Sequence, residues 1–316
     1  MILKPIIPFE PVVAEELPKD ENWIAQIKWD GVRILSYFDG AQINLVNRKL
    51  NNRTLQYPEF HVHDRFCKAS SFILDGEIIA FNDKTPSFHE VMKRDSLRSK
   101  KTIEIGMNQT KVTYMIFDIL FCNGEWVVDK MLHERQKILE SIIIPQDDVQ
   151  IVQNFADPEA LYKLMDQYQM EGIIYKNLMS TYLINGKDRR WQKRKVYHDL
   201  FAAVGGFTLR GNIVNSLLLG LLDERNNFFY IGHAGTGKLT NQDWREITQR
   251  LESLITNTKL FINTPERSKD VVWVIPQMAV KVQFLEWTAG GTMRQPSIQA
   301  IVDVPLSQCS SHQLKG

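Results

Sequence analysis

The chain reads as an α+β domain followed by a smaller β-barrel, and three features of the sequence support this. Up to Lys195, apolar strand-like runs alternate with helical stretches. Past Phe201 the pattern becomes short strands with Gly-rich turns around one helix, as in small, partly open barrels of the oligonucleotide/oligosaccharide-binding type. Between the two lies a basic run, with Lys187, Arg189, Arg190, Lys193, Arg194 and Lys195 set against the single acid Asp188. The expected domains are residues 1–198 and 199–316.

Taken in order, residues 1–20 are rich in Pro and Glu and predict an irregular lead-in. Trp23 to Asn47 predicts three strands separated by Asp30-Gly31 and Asp39-Gly40, and Asp-Gly between alternating runs is a hairpin signal. Tyr57-Pro58 opens a predicted short helix ending near Cys67. Phe72 to Phe81 reads as two strands interrupted by Asp75-Gly76-Glu77, and Ser87 to Arg98 as a basic helix. Thr113 to Cys122 predicts a buried strand turned by Asn123-Gly124. Helices follow at Leu132–Ile143 and 158–169, the second with Asp157 as N-cap. Glu171 to Lys176 is a further strand. In the second domain, strands are expected at 202–207, 216–222, 227–232, 271–275 and 278–287, with a helix at 241–255.

Composition narrows the function classes. The chain has 316 residues, enough for two cores, and is 44% hydrophobic and 24% charged, which is ordinary for a globular protein. No apolar run reaches membrane-spanning length, and the N-terminus has no signal-peptide pattern, so the expectation is a cytoplasmic protein with no membrane partner. Cys67, Cys122 and Cys309 are distant and odd in number, suiting a reducing compartment rather than a disulfide framework. A net charge of +1 means that any nucleic acid must be held by local basic clusters.

In the first domain, charged residues repeatedly interrupt apolar strands: Lys28 with Asp30, Asp75 with Glu77, Asp118, Glu171, Lys176, Lys193 and Lys195. Unpaired buried charge is costly, so such residues pair or line a cleft. One shared polar pocket is expected. It would hold carboxylates for Mg²⁺, lysines for phosphate and, in Lys28, a nucleophilic amine.

Lys28-Trp29-Asp30-Gly31-Val32-Arg33 resembles the Lys-x-Asp-Gly-x-Arg signature of covalent nucleotidyltransferases. Asp75-Gly76-Glu77, Phe117-Asp118-Ile119-Leu120, Glu171 to Lys176, and Trp191 to Lys195 follow in the family's order and spacing. The chain is similar to ATP-dependent DNA ligases of the small bacterial type, including the ligase module of end-joining proteins. The resemblance implies a nucleotidyltransferase domain with antiparallel sheets and an OB-fold domain. It implies ATP and Mg²⁺ as cofactors, with Mn²⁺ as an alternative, and nicked or broken duplex DNA as substrate. It further implies a monomer whose repair partners, if any, act in trans.

By the same resemblance Lys28 would carry AMP as a phosphoramidate, with Lys193 and Lys195 neutralising the α-phosphate. Gln26, Ile27 and their strand would form part of the adenine wall, and Phe117 would stack on the base. Arg33 and Arg48 would bind nucleotide phosphates or the 5′-phosphate of a nick. Glu77 would contact ribose and, with Glu171, hold metal, and Lys176 would complete the nucleotide site. Arg94, Arg190 and Arg294 would contact DNA.

Two departures stand out. Gln26 occupies a position where glutamate is common, and an amide can donate as well as accept, which implies looser choice of ATP. The family usually closes with Arg-x-Asp-Lys, but Ile301-Val302-Asp303-Val304-Pro305 carries no cation, which implies impaired lysine adenylylation rather than impaired sealing. Gly232 to Leu239 nearly spells a phosphate-binding P-loop, yet Leu239 stands where Ser or Thr must hold Mg²⁺, and a Gly-rich barrel turn is the expectation. The seven histidines show no metal-ligand spacing. Rival readings are an RNA ligase, a GTP-using capping enzyme, or a non-catalytic binder of DNA ends. Replication, recombination and repair are all compatible with the sequence.

Overall fold

A computed structural model describes residues 3–315 apart from 15, 17, 19, 83, 84, 266–268 and 289. The chain divides into two compact units, Met1–Val196 and Tyr197–Gly316.

The first unit contains strands β1 (Val12–Val13), β2 (Trp23–Ile27), β3 (Val32–Phe38), β4 (Ile43–Asn47) and β5 (Phe72–Ile79), then helices α1 (Phe88–Asp95) and α2 (Lys100–Gln109). It continues with β6 (Thr113–Cys122), β7 (Glu125–Trp126), α3 (Leu132–Ile142), β8 (Val149–Ile151), α4 (Pro158–Gln167), β9 (Gly172–Asn177) and β10 (Trp191–Lys195). One sheet runs β1-β10-β9-β2 and the other β4-β3-β5-β6-β7, with β8 added beside β6. Leu35, Tyr37, Ile73 and Phe121 of the second sheet pack with Trp191 of the first, around Phe9 and Tyr182.

Sheet membership corrects the sequence reading at Asp30-Gly31. β2 pairs with β9 and β3 pairs with β4 and β5, so this Asp-Gly is a crossing between sheets, not a hairpin. A side chain at Gly31 would place its Cβ 2.3 Å from the Ile78 carbonyl oxygen, so only glycine lets the chain cross this close to β5. Asp39-Gly40 is the true hairpin turn: Asp39 accepts backbone N–H bonds from Ala41 and Gln42, and Gly40 has φ +94°.

Other boundaries shift for local reasons. Asp75-Gly76-Glu77 does not break its strand; β5 runs through it, with register shifts against β6 that absorb the irregularity. The helix expected at 57–67 is a set of 3₁₀ turns at Thr54–Gln56, Pro58–Phe60 and His63–Arg65. Helix α2 was not expected; Ser99 caps it, accepting from the Thr102 N–H at 3.2 Å. β1 forms within the stretch read as irregular, where residues 1, 2, 15, 17 and 19 lie outside the described set. Asp157 does cap α4, accepting from the Ala160 N–H at 3.0 Å.

The second unit contains β11 (His198–Arg210), β12 (Ile213–Leu222), β13 (Phe228–Ala234), α5 (Asn241–Glu252), β14 (Ile255–Thr256), β15 (Val272–Val274), β16 (Ala279–Phe284), β17 (Glu286–Trp287), β18 (Met293–Arg294) and β19 (Ser297–Val302). The sheet passes β13-β12-β11-β16-β19, and hydrogen bonds from Lys238 N–H to Ile298 O and from Ile298 N–H to Thr236 O return it toward β13. This curl is the OB-type barrel. The P-loop look-alike is the closing seam. Gly237, at φ +147°, would place a Cβ 1.9 Å from the Ile298 oxygen, so its glycine serves strand packing, not phosphate. Val302 and Val304 pack in a cluster with Ala203, Leu218, Phe261 and Ala279, on the sheet face opposite the one that carries Ala202, Leu217, Leu219 and Val280 in the main barrel core, so the segment lacking the closing cations is held by apolar packing.

Arg94 is corrected outright as a DNA contact. It is completely buried in α1, donating to both Glu59 carboxylate oxygens at 3.0 Å and to the Gln56 and Thr110 carbonyls. It ties α1 to the 3₁₀ turns and to the end of α2. Truncating one partner of such a buried ionic network strands the other polar groups. Arg94→Ala is therefore expected to lose about 3–5 kcal/mol in denaturant unfolding, while nicked-duplex affinity of the folded fraction stays unchanged.

Candidate active site

The Lys28 neighbourhood is built at the ends of strands. β2 ends at Ile27, and the Lys28 N–H donates to the Gly172 carbonyl at 2.9 Å, which anchors the lysine beside the start of β9. The Lys28 ammonium donates to one carboxylate oxygen of Glu171, and Lys195, at the end of β10, lies 3.2 Å from the other. Burial opposes ionisation of Glu171, but Lys28 and Lys195 overcome it and hold the carboxyl below its usual range. Lys193, two residues earlier on the same face of β10, sits below the ordinary lysine range because it is partly desolvated and flanked by Lys195 and Lys28.

Glu77 faces this group from β5. Burial pushes its carboxyl up to about 8, although Lys28 and Arg33 pull it down, and Glu171 and Asp30 add to the rise. No group of three or more His, Cys, Asp or Glu side chains able to hold a metal occurs among the described residues. The donor set is thus two carboxylates, Glu77 and Glu171. Such a pair fits Mg²⁺ in the form it usually takes beside nucleotides, held by one or two carboxylates with phosphate and water completing the shell.

Strand alternation sorts the predicted base wall. Gln26 and Lys28 leave β2 on one face, whereas Trp23 and Ile27 pack on the other with Leu161 and Met165 of α4. The side chain of Ile27 is therefore not brought to the site, which corrects its expected role. Gln26 and Phe117 line a cavity of about 420 Å³ with Gln136, Leu139, Ile151, Val152 and Asn154 among the other walls. Trp29 and Phe117 pack with Ile79, Met115 and Val152, linking the residue after Lys28 to the cavity wall.

The single polar pocket expected from the sequence is two layers. Beneath the open group lies a buried brace. Arg33 makes a two-pronged bond to Asp75 at 2.9 and 2.6 Å and donates to the Phe9 carbonyl at 2.6 Å, and the Tyr182 hydroxyl donates to Asp75 at 2.8 Å. Arg135 pairs with Asp118 at 2.8 and 2.9 Å, with both side chains fully buried. The Lys176 ammonium sits 4.2 Å from the Phe117 ring centre and 4.0 Å from that of Trp191. Arg33 and Lys176 are thus not free to take phosphate: their donors support the wall that Phe117 belongs to. Sequence reasoning missed Arg135, Tyr182, Asn154 and Gln136. Arg135 and Gln136 left a signal, as polar residues on the core-facing side of α3.

The expected DNA-binding arginines differ in setting. Arg48 is exposed on the loop after β4, 3.7 Å from Glu10. Arg190 is half-buried, 3.2 Å from Asp188. Arg294 lies in the second unit and pairs with Glu286.

Residues 9–195 match the ATP dependent DNA ligase domain, and residues 210–303 match the ATP dependent DNA ligase C terminal region. The chain belongs to the ATP-dependent DNA ligase family. It is similar to DNA ligase 2 of Methanosarcina acetivorans, with 31% identity over 251 residues covering 73% of this chain and 44% of that protein. It is also similar to the multifunctional non-homologous end joining protein LigD of Mycolicibacterium smegmatis, with 28% identity over 302 residues, 92% of this chain and 38% of that one. The chain spans about half the length, or less, of these curated relatives. Its fold is similar to a mycobacterial DNA ligase D complexed with ATP and MES, at TM-score 0.54 and 23% identity over 96% of this chain and 97% of that one. A Lig E DNA ligase structure gives TM-score 0.59 at 19% identity over 93% and 99%. The family fold is a nucleotidyltransferase domain followed by an OB-fold domain, as in the two units here. No helix among the described residues is long and apolar enough to cross a membrane.

Lys176 gives this layer a pH signature. Burial pushes its amine from 10.5 down to about 7, against the pull of Asp118 and Asp75. Between those values the unfolded chain binds a proton that the folded chain does not, so stability rises with pH. Its slope reaches at most about 1.4 kcal/mol per pH unit. Lys176→Met removes the titrating group. The variant's excess stability in thermal melts is expected to be greatest at pH 7 and below, and to shrink toward pH 10.5.

Proposed function

We propose that this protein is an ATP-dependent DNA ligase, sealing breaks in duplex DNA through an enzyme-lysyl-AMP and a DNA-adenylate. The observation that carries the reading is the shared grip on Glu171 by Lys28 and Lys195, at the mouth formed by β2, β9 and β10. A lysine held there by a carboxylate, with further cations beside it and a cavity walled by an aromatic ring on the same strand face, suits transfer of a nucleotidyl group.

In the first step Lys28 attacks as the free amine. A bond forms between its Nζ and the α-phosphorus of ATP, the bond to the β-phosphate oxygen breaks, and pyrophosphate leaves with the electron pair while the lysine proton passes to solvent. Lys193 and Lys195 are the cations assigned to the charge that grows on the α-phosphate oxygens; Lys195 shares Glu171 with Lys28, and preorganised cations dominate phosphoryl-type transfer. In the second step a DNA 5′-phosphate oxygen displaces Lys28 from the AMP phosphorus. In the third the 3′-hydroxyl attacks the 5′-phosphorus, AMP departs, and the phosphodiester closes. Glu77 and Glu171 are the residues that would hold Mg²⁺, which supplies charge neutralisation for the phosphates when bound.

Arg48 and Arg190, on the surface of the first unit, are the phosphate contacts we assign to DNA, with Arg294, which pairs with Glu286, as a third from the second unit. Such contacts position the duplex without reading its sequence.

Lys28→Ala is expected to abolish the AMP adduct seen by mass spectrometry after incubation with ATP and Mg²⁺, and an adduct persisting in that variant would overturn the nucleophile assignment. Joint replacement Lys193→Ala and Lys195→Ala is expected to slow adenylylation by about 10²–10³-fold, with a much smaller change in nicked-duplex affinity; equal loss of both would make these lysines DNA holders. Parallel sealing assays on nicked DNA and nicked RNA are expected to favour DNA.

A further inference from the structure

We infer that Asn154 and Gln136 set the nucleobase preference by holding the Gln26 amide in one orientation, with its carbonyl oxygen toward the cavity. This rests on the reading of Lys28 as the nucleotide carrier and adds the device that chooses the base.

The device is placed by backbone pairing. Ala25 and Phe155 exchange N–H to carbonyl bonds, both at 2.9 Å, which fixes the loop after β8 against β2 and sets Asn154 beside Gln26. Gln136 reaches the same point from α3. The Gln26 Nε2 donates to Asn154 Oδ1 at 2.8 Å, and Gln136 Nε2 donates to that same oxygen at 3.2 Å. Asn154 Nδ2 donates back to Gln136 Oε1 at 3.1 Å. Asn154 Oδ1 therefore takes two donors, and one N–H of the Gln26 amide is spent on it, which fixes the end of that amide that faces Asn154.

Gln26 is only 2% exposed, so its amide does not turn freely in water. Its Oε1 accepts no hydrogen bond among the described residues, and Gln26 lines the cavity that Phe117 also walls. A free glutamine could serve either purine, offering its oxygen to an amino group or its nitrogen to a carbonyl. Here the three linked amides can reverse only together. A carbonyl fixed in this way accepts from the exocyclic 6-amino group of adenine and meets the 6-oxo group of guanine or hypoxanthine as a second acceptor, leaving both unpaired. The looser nucleotide choice implied by glutamine at this position is replaced by selectivity for adenine.

The test measures Lys28 labelling by ATP and by ITP, which differ in the 6-substituent, as the ratio of kcat/KM values on the full chain. Wild type is expected to favour ATP. Asn154→Leu frees Gln26 and is expected to narrow the ratio by about tenfold. Adding Gln26→Glu to Asn154→Leu is expected to restore the preference, because a carboxylate presents an acceptor whichever way it turns. Asn154→Asp can only accept from Gln26 and is expected to keep the preference. The ratio is internal to each preparation, so partial misfolding does not move it. Relative affinities for ATP and ITP, read by tryptophan fluorescence, are expected to follow the same order without turnover. An unchanged ratio in Asn154→Leu, failure of Gln26→Glu to rescue it, or preference for ITP in Asn154→Asp overturns the amide lock. No labelling of wild type by either triphosphate overturns instead the nucleotide-carrier reading beneath it.

Discussion

The first unit depends on the satisfaction of buried charge between its two sheets. Asp75 on β5 and Asp118 on β6 are both fully buried, and each is met by a two-pronged arginine, Arg33 from β3 and Arg135 from α3. Carboxylates in such surroundings survive only when their lone pairs are taken by well-placed donors. Tyr182 completes Asp75, and its aromatic ring packs with Trp191 of the other sheet. The brace thus orders the floor on which Phe117 and Lys176 sit, beside the ionisable side chains of Lys28, Glu77, Glu171, Lys193 and Lys195.

Strand geometry turns that floor into a site. Alternation on β2 sends Gln26 and Lys28 to one face and Ile27 to the helix side, so a base wall and a nucleophile share a strand without competing for space. Alternation on β10 does the same for Lys193 and Lys195. The crossing at Gly31 carries the chain from one sheet to the other within a few residues, bringing Glu77 of β5 toward the end of β2. Lys28, Glu171 and Lys195 therefore sit at strand ends, while Glu77 and Lys193 belong to the same group from within β5 and β10.

The second unit shows how the same residue types can be structural. Glycines that nearly spell a nucleotide loop are there because the chain runs against β19, and the backbone N–H of Lys238 is spent on Ile298 rather than on phosphate. Val302 and Val304 pack with Phe261 and Trp273, so the end of this unit's last strand contributes apolar packing.

Much of this was legible in the sequence. The order of the charges set in apolar strand runs, the Asp-Gly turn at 39–40, the Asp157 cap and the change of pattern past Tyr197 are local features, and local propensity and spacing determine them. The ordered motifs pointed to the family that the match over residues 9–195 shows. Tertiary structure decided what depends on partners distant in sequence. It made Asp30-Gly31 a crossing rather than a hairpin, because β2 finds its hydrogen-bonding partner in β9. It withdrew Arg94, Arg33 and Lys176 from ligand contact, because Glu59, Asp75 and the Phe117 and Trp191 rings lie against them. It placed Asn154 beside Gln26 across a separation of 128 residues, and a hydrogen bond of that range has no periodicity or composition to announce it.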